Sequence, residues 1–302
     1  MAHLKYHLLL VFSTIIIAGS FISAQALSAD VAPASLALMR FCLAALVLAP
    51  FILFNAGRRR TFIRILPKGL IISFFYATFF MIMFKALKTT TTLNTSTLYT
   101  LVPFLTAVVS IFLFRDKIWA GTLLVYLIST IGTVWVISRG DIDVLLHLQL
   151  NQGDAVFLIG CLSMVGFSVS MKLLYKGEEM LVFVFTTLVS GAAWMGGALI
   201  LSGEVPDYSG MDFEQFLHMG YLAVFATLLT SWIMQIATVK LSPRQVSAYI
   251  YLNPVFVAFI AMLTSRQALP VSVYPGIAMS VLATVLLQVQ AARERRPVTA
   301  GR

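Results

Sequence analysis

The chain is 302 residues long, and 60% of its residues are hydrophobic while only 11% are charged. Soluble domains are about half apolar and about one quarter charged, so this composition excludes a water-soluble globular protein. The net charge of +9 raises the question of a nucleic-acid partner. The positions of the basic residues answer that question below.

Ten uncharged windows follow one another along the chain, and most reach the ~20 residues that a transmembrane helix needs. The sequence therefore predicts an all-α membrane protein with ten transmembrane helices, called spans 1 to 10 here, and short loops. The windows cover residues 6–29, 41–57, 69–84, 89–114, 118–138, 155–171, 180–203, 215–239, 245–265 and 267–292.

The basic residues predict the orientation of these helices. With a cytoplasmic N-terminus, sixteen Lys and Arg residues fall in cytoplasmic segments and four fall outside. The positive-inside rule then places both termini in the cytoplasm, and we expect an integral multi-pass protein of the plasma (inner) membrane. The arginines at 58–60 are interpreted as a topology anchor near anionic lipid, and no nucleic-acid partner is expected.

The first window also has features of a secretory signal peptide, because Lys5 precedes an apolar run that reaches the triplet 24–26 (AQA). The run is long for a signal peptide, and its removal would leave nine helices. A retained first helix is therefore the favoured interpretation. Within that helix, Ser20 follows Gly19, and small residues of this kind allow helices to approach closely. Ser20 is also kept as a candidate solute contact.

Arg40 is the one charge well inside a predicted helix, and it lies between Pro33 and Pro50. Charges within the membrane cost about 2.5–3.5 kcal/mol on insertion scales, so they usually face protein or a water-filled cavity. In one interpretation the guanidinium binds an anionic group of a substrate or forms a gate. In the other it is structural, and it either hydrogen-bonds backbone carbonyls or extends toward the membrane surface.

Pro103 and Pro254 lie at matched depths of spans 4 and 9. Each proline removes a backbone N–H, which leaves the carbonyl four residues earlier, at Tyr99 and at Ile250, without its helical partner. Interrupted helices of this kind are the best sequence indication of a transporter site, although ordinary kinks are also common in packed membrane helices. We expect both prolines to act as hinges beside a cavity.

Polar side chains accompany these prolines at helical spacing, which predicts one polar face on each helix. They could line a cavity, or they could bridge helices by hydrogen bonds, as membrane bundles commonly do. The candidate substrate-binding residues are Tyr99, Trp232, Gln235, Tyr249, Asn253, Ser20 and Tyr76.

The sequence also repeats itself. An offset of 151 positions aligns Ser96 with Ser247, Pro103 with Pro254 and Arg115 with Arg266 without a gap. Because each half has an odd number of helices, the second half must enter the membrane in the opposite orientation. The prediction is two inverted five-helix repeats, residues 1–143 and 152–291, followed by a basic cytoplasmic tail at 292–302. Inverted repeats are typical of secondary transporters.

Three segments resemble the ten-helix EamA branch of the drug/metabolite transporter superfamily. They are SLALMRFCLAALVL from Ser35, FKALKTTTTLNTSTLYTLVPFLTAVVSIFLFRDKI from Phe84 and its second-half copy QIATVKLSPRQVSAYIYLNPVFVAFIAMLTSRQAL from Gln235. The resemblance implies a solute site at mid-depth between spans 1, 3, 4, 6, 8 and 9. One departure is that Asp116 of the first copy is matched by Gln267 in the second, so an ion pair there is in doubt.

The first hypothesis is a secondary transporter that moves a small metabolite, such as an amino acid, by alternating access and exports it from the cell. Its partners are the small-molecule substrate, the lipid bilayer and, in some mechanisms, a coupling ion. The near alternative is an exporter of drugs or nucleotide-type metabolites.

A polytopic membrane enzyme is a more distant hypothesis. Its nearest candidate cluster is Asp207, Asp212, Glu214 and His218 in a predicted loop. No phosphate-binding loop and no hydrolase or metalloprotease motif is present in the sequence, so no catalytic residue, metal or cofactor is expected.

Overall fold

The structure is a computed structural model that describes residues 4–29, 31–114, 120–137, 141, 151–241, 243–265 and 270–294. Every regular element within these ranges is helical. The elements are α1 Leu4–Ser28, α2 Pro33–Leu53, α3 Ala56–Ala86, α4 Thr92–Tyr99, α5 Leu101–Phe114, α6 Ala120–Ile137, α7 Gln152–Leu174, α8 Met180–Ser202, α9 Phe213–Ala223, a π-helical turn Val224–Leu229, α10 Thr230–Lys240, α11 Pro243–Ala248, a 3-10 turn Tyr249–Leu252, α12 Asn253–Ser265, a 3-10 turn Val271–Val273 and α13 Tyr274–Glu294.

The lengths of these helices match the thickness of a bilayer. Nine helical segments of the described residues are long and apolar enough to cross a membrane, and α6 contains a further apolar stretch at Gly121–Gly132. A helix of 20 residues rises ~30 Å, which is about the thickness of the hydrocarbon core. The predicted all-α fold with ten spans is therefore confirmed.

The boundaries of two helices differ from the predicted windows because charge does not end a helix. α2 begins at Pro33 and includes Arg40, while α3 begins at Ala56 and includes the arginines at 58–60. The side chain of Asn55 accepts a hydrogen bond from the backbone N–H of Arg58, which caps the start of α3. The arginines thus lie in the first turn of a long helix instead of in a loop.

Both proline-bearing spans are interrupted where the sequence predicts it. In span 4 the helix breaks at Thr100, between α4 and α5, just before Pro103. In span 9 the residues before Pro254 form the 3-10 turn Tyr249–Leu252. Because the offset of 151 positions places Thr100 opposite Tyr251, the two interruptions occupy equivalent positions in the two sequence halves. Asp116 and Gln267, the matched positions at which an ion pair is in doubt, lie outside the described residues.

Span 8 contains an interruption that the sequence does not predict. A π-helical turn at Val224–Leu229 joins α9 to α10. The extra residue in such a turn displaces a backbone carbonyl from its helical partner, and π turns often occur at functional sites. Here the hydroxyl of Thr227 donates to the carbonyl of Leu222, 2.8 Å away, and so satisfies a carbonyl of the preceding turn.

The chain forms two compact units, and each takes segments from both sequence halves. Unit 1 comprises Met1–Ala18, Ser96–Gln149 and Ile233–Arg302, and unit 2 comprises Gly19–Thr95 and Leu150–Trp232. In unit 2, α3 packs against α7 and α8, and α2 packs against α8. In unit 1, α6 packs against α13. Helices from the two predicted repeats are therefore packed together inside each unit.

Small residues allow close packing in unit 2. A Cβ atom at Gly166 would lie 2.5 Å from a carbon of the Phe75 ring, and one at Gly19 would lie 2.6 Å from the hydroxyl of Tyr221. Neither position can accept a side chain unless the aromatic neighbour moves. The close helix approach that the sequence predicts at Gly19 is present in the structure.

Candidate functional site

Arg40 is held inside unit 2 by two contacts. Its side chain is only 1% exposed. The Nε atom donates a hydrogen bond to the hydroxyl oxygen of Thr227 at 3.0 Å. The guanidinium carbon lies over the ring of Phe80, 3.9 Å from its centroid, which is a cation–π contact. Arg40 therefore neither extends to the membrane surface nor hydrogen-bonds a backbone carbonyl of the described chain, the two structural interpretations considered above.

The charge of Arg40 is incompletely compensated. Its Nη1 atom is buried and has no hydrogen-bond partner. Among the residues that the structure describes, no carboxylate lies within ion-pairing distance of the guanidinium. A buried cation without a counter-ion is costly, and intramembrane charges of this kind usually serve a function.

Thr227 orients the guanidinium from the π-helical turn of span 8. Its hydroxyl hydrogen is directed to the carbonyl of Leu222, so the oxygen is left to accept from Arg40. The hydroxyl can fill both roles because it carries one donor and two acceptor lone pairs. The turn at Val224–Leu229 thus supplies the hydrogen-bond acceptor for Arg40, which lies in the middle of α2.

A cavity of about 60 Å³ adjoins this pair of residues, and α3, α7, α8 and span 8 form its wall. About 10–15 Å³ of such space accommodates one water molecule, so the cavity has room for roughly four waters or a small organic group. Apolar side chains dominate the lining, and four hydroxyl groups interrupt it. The lining residues are Tyr76, Phe167, Met171, Met180, Phe183, Val184, Thr187, Leu188, Thr227 and Ser231.

Tyr76 connects the cavity to the aromatic cluster beneath Arg40. Its ring stacks on Phe167, with centroids 4.6 Å apart, and meets Phe80 edge-on at 4.8 Å. Phe80 contacts the guanidinium of Arg40, and its neighbour Tyr76 lines the cavity, so the aromatic cluster extends from the charge to the cavity wall. On another side, Thr227 both lines the cavity and bonds Arg40.

The cavity extends toward one end of unit 2. Met171 lies in the last turn of α7, and Met180 is the first residue of α8. The loop between these helices carries Glu178 and Glu179, which pair with Lys68 at 2.5 Å and with Arg58 at 2.7 Å. The hydrogen bond from Lys68 is the main cause that lowers the pKa of Glu178 to about 2. The charge pattern of the sequence predicts that this end is cytoplasmic.

The predicted site residues fall into both units. In unit 2, Tyr76 lines the cavity and Ser20 is buried. Trp232, the last residue of this unit along the chain, is 54% exposed. In unit 1, Tyr99 is half-buried at the end of α4. Gln235 lies on α10, and its side chain is outside the described residues. Of the predicted contacts whose side chains the structure describes, Tyr76 is the one that lines this cavity.

Tyr249 and Asn253 occupy the interrupted part of span 9 in unit 1. The hydroxyl of Tyr249 is 2.7 Å from the Nδ1 atom of His7. Asn253 is fully buried, and neither the oxygen nor the nitrogen of its amide has a hydrogen-bond partner. An unsatisfied buried amide indicates a place where water or a solute group can bind. Among the predicted residues of unit 1 whose side chains the structure describes, Asn253 is the one with both side-chain polar atoms buried and unpaired.

A polar cluster around Asp154 is absent from the predicted site residues. The carboxylate is 2% exposed. It accepts a hydrogen bond from the hydroxyl of Thr90. The amide nitrogen of Asn94 donates to both carboxylate oxygens, at 3.2 Å to Oδ1 and 3.1 Å to Oδ2. The side chain of Asn151 caps α7 by accepting from the backbone N–H of Asp154. The Asn-x-x-Asp spacing at a helix start could have indicated this capping. It could not have indicated that Thr90 and Asn94 bond the carboxylate of Asp154.

Asp207, Asp212 and His218 of the acidic cluster considered for an enzyme each contact neighbouring residues. Asp212 caps α9 and forms a capping box with Gln215. Asp207 accepts hydrogen bonds from the hydroxyl and the backbone N–H of Ser209, and these bonds lower the pKa of its carboxyl. His218 lies 3.1 Å from the hydroxyl of Ser23. These contacts cap a helix, order a turn and bridge two helices.

The fold and the cavity define a class of protein, namely a polytopic membrane protein with a small amphipathic site among its helices. A model of the EamA-like transporter family matches residues 4–138 and 151–289. The chain belongs to this family, which confirms the resemblance seen in the sequence. It is therefore an integral multi-pass membrane protein and a transporter of small solutes.

The sequence identity of this chain to the individual proteins it matches is low. The chain is 24% identical over 234 residues, 76% of either chain, to a protein of Bacillus subtilis (strain 168) named "Uncharacterized transporter YyaM". A solved structure described only as "Crystal structure of protein" matches with a TM-score of 0.65 at 17% identity. That match covers 95% of this chain and 98% of the other. At this identity the match shows the fold alone.

Proposed function

We propose that the protein is a secondary transporter that exports a small amphipathic metabolite, such as an amino acid, across the plasma membrane by alternating access. The observation that carries this proposal is the cavity of unit 2, in which an apolar wall is combined with the hydroxyl groups of Tyr76, Thr187, Thr227 and Ser231. Ligand sites typically have this composition, with a few polar groups that orient the ligand on an apolar surface.

The position of the cavity supports export. Its lining reaches the ends of α7 and α8, beside the ion pairs of Lys68 and Arg58, at the end predicted to be cytoplasmic. A solute from the cytoplasm would therefore enter unit 2 here. Binding would shift the balance between inward-open and outward-open states through the difference in affinity for the two.

The helix interruptions support alternating access. Spans 4 and 9 break at equivalent positions before Pro103 and Pro254, and these interruptions are the proposed hinges of the two inverted repeats. The polar residues near them, Tyr99, Tyr249 and Asn253, are proposed to contact the solute along its path. The unsatisfied amide of Asn253 favours such a role most directly.

The aromatic wall of the cavity favours a second candidate function. Tyr76 stacks on Phe167 in the wall. Planar drugs or the bases of nucleotide-type metabolites stack on such surfaces. Export of these compounds is therefore the alternative to amino-acid export.

Thermal unfolding of the purified protein tests the two functions together. The panel contains amino acids, nucleotides, nucleotide sugars and cationic dyes, because a ligand that binds the native state raises apparent stability by mass action. Hits are then measured by counterflow in proteoliposomes, with and without an imposed proton or sodium gradient. Stabilisation and counterflow by an amino acid support the first function, and by a dye or nucleotide the second.

Two variants connect the response to the proposed residues. Tyr76→Ala should weaken the response, because it removes the ring that lines the cavity. Gly210→Ala is the control, because Gly210 is exposed and a Cβ atom there meets no neighbour. Counterflow by no member of the panel would contradict the proposed function.

A further inference from the structure

Three properties of Arg40 together indicate that it binds an anion. It is almost fully buried, its Nη1 atom has no partner, and no carboxylate of the described chain pairs with it. The contacts it does make, to Thr227 and to the face of Phe80, orient the guanidinium without neutralising its charge. A guanidinium cannot lose its proton under physiological conditions, so the charge persists.

We infer that Arg40 binds the carboxylate of the transported solute, so that the substrates of this protein carry one carboxylate and a small apolar body. This inference rests on the proposed function. The guanidinium donates through Nη1 to a carboxylate oxygen, a charge-assisted hydrogen bond, while Nε stays on Thr227. The body of the solute occupies the cavity between Tyr76, Phe167 and Leu188.

The cavity explains why a single carboxylate fits better than a phosphate. No charged side chain of the described chain lines the cavity, and Arg40 is linked to it through the lining residue Thr227, whereas Lys68 and Arg58 are paired with glutamates. A phosphate that carries about two negative charges would need a second cation or several further donors. One guanidinium matches the single charge of a carboxylate, and a neutral remainder matches the apolar wall. A zwitterionic amino acid would place its ammonium near the hydroxyls of Thr187 and Ser231.

Thr227 has a positioning role in this arrangement. Its hydroxyl fixes Nε, and the buried Nη1 atom keeps its hydrogen-bonding capacity for the solute. A valine at this position has the same shape and lacks the acceptor. Thr227→Val should therefore reduce affinity for the carboxylate without removing the charge.

Matched pairs of ligands test the inference. The probes are the twenty L-amino acids and their C-terminal amides, applied to the purified wild-type protein at constant chloride, with thermal stabilisation as the readout. We expect at least one amino acid to stabilise the protein and its amide to bind roughly tenfold or more weakly, because the amide lacks the charge that pairs with the guanidinium. Arg40→Gln should abolish the difference between acid and amide, and Arg40→Lys should restore part of it.

Arg60→Gln is the control variant, because Arg60 is exposed at the start of α3 and should keep the full difference. Equal stabilisation by an acid and its amide, a preserved difference in Arg40→Gln, or no stabilisation by any amino acid would each overturn the inference. The wild-type comparison of acid and amide remains decisive if the Arg40 variants fail to fold. Counterflow of a dye or nucleotide sugar together with any of these results would overturn the role of Arg40 while transport stands.

Discussion

The hydrogen bond between Arg40 and Thr227 gives the sharpest prediction about stability. Thr227→Val keeps the shape of the side chain, which is 1% exposed, and removes the acceptor 3.0 Å from Nε. A hydrogen bond to a charged group contributes about 1.5–3 kcal/mol, and the bond to the carbonyl of Leu222 adds about 0.5–1.5 kcal/mol. The free energy of unfolding should therefore fall by about 2–4.5 kcal/mol.

Thr227→Ser is the matched control for this change. It keeps the hydroxyl and removes one methyl group, which costs about 0.8 kcal/mol of apolar burial. Unfolding by a denaturing detergent in mixed micelles, followed by tryptophan fluorescence, measures both variants against the wild type. Equal losses in the valine and serine variants, or no loss in the valine variant, would refute the argument that the hydroxyl orients Arg40.

Three further changes test the packing and the ion pairs. Gly166→Leu should lower the melting temperature by several degrees because its Cβ atom meets the ring of Phe75, whereas Gly196→Ala, with open space, should not. Asp154→Asn should also lower it, because the NH2 group that replaces one carboxylate oxygen cannot accept the hydrogen bond from the amide of Asn94. Glu178→Gln should destabilise the protein at neutral pH. The difference from wild type should shrink as pH falls from about 4.5 toward about 2, because the lowered pKa of Glu178 stabilises only its ionised form.

Much of the fold follows from the sequence, because membrane helices are read from the absence of charge. Each of the predicted windows contains a helical segment, and Pro103 and Pro254 correctly indicate the interruptions of spans 4 and 9. The helix ends are less predictable. Asn55 caps α3 before its arginines, so the helix extends well beyond the apolar window.

The candidate site is only partly predictable. Arg40 and Tyr76 could be selected from the sequence, the first as an isolated intramembrane charge. Thr227, the partner of Arg40, could not, because the π-helical turn that contains it has neither proline nor glycine. Contacts between residues 187 positions apart depend on tertiary packing, which helical periodicity does not specify. For the same reason, the contribution of α8 to the cavity was not expected.

The central claim is that the cavity of unit 2 binds the transported solute. Protection of a cysteine in its wall tests this claim most directly. Thr187→Cys would be introduced into a background in which Cys42 and Cys161 are alanine, and its rate of reaction with a small methanethiosulfonate reagent would be measured in proteoliposomes. Gly210→Cys, exposed between α8 and α9, is the control.

A solute active in counterflow should slow labelling of Thr187→Cys in a concentration-dependent manner and leave labelling of Gly210→Cys unchanged. The half-maximal concentration for protection should agree with that for counterflow, since both report occupancy of one site. Unchanged labelling of Thr187→Cys at saturating solute would contradict the account and place the transport site elsewhere in the chain.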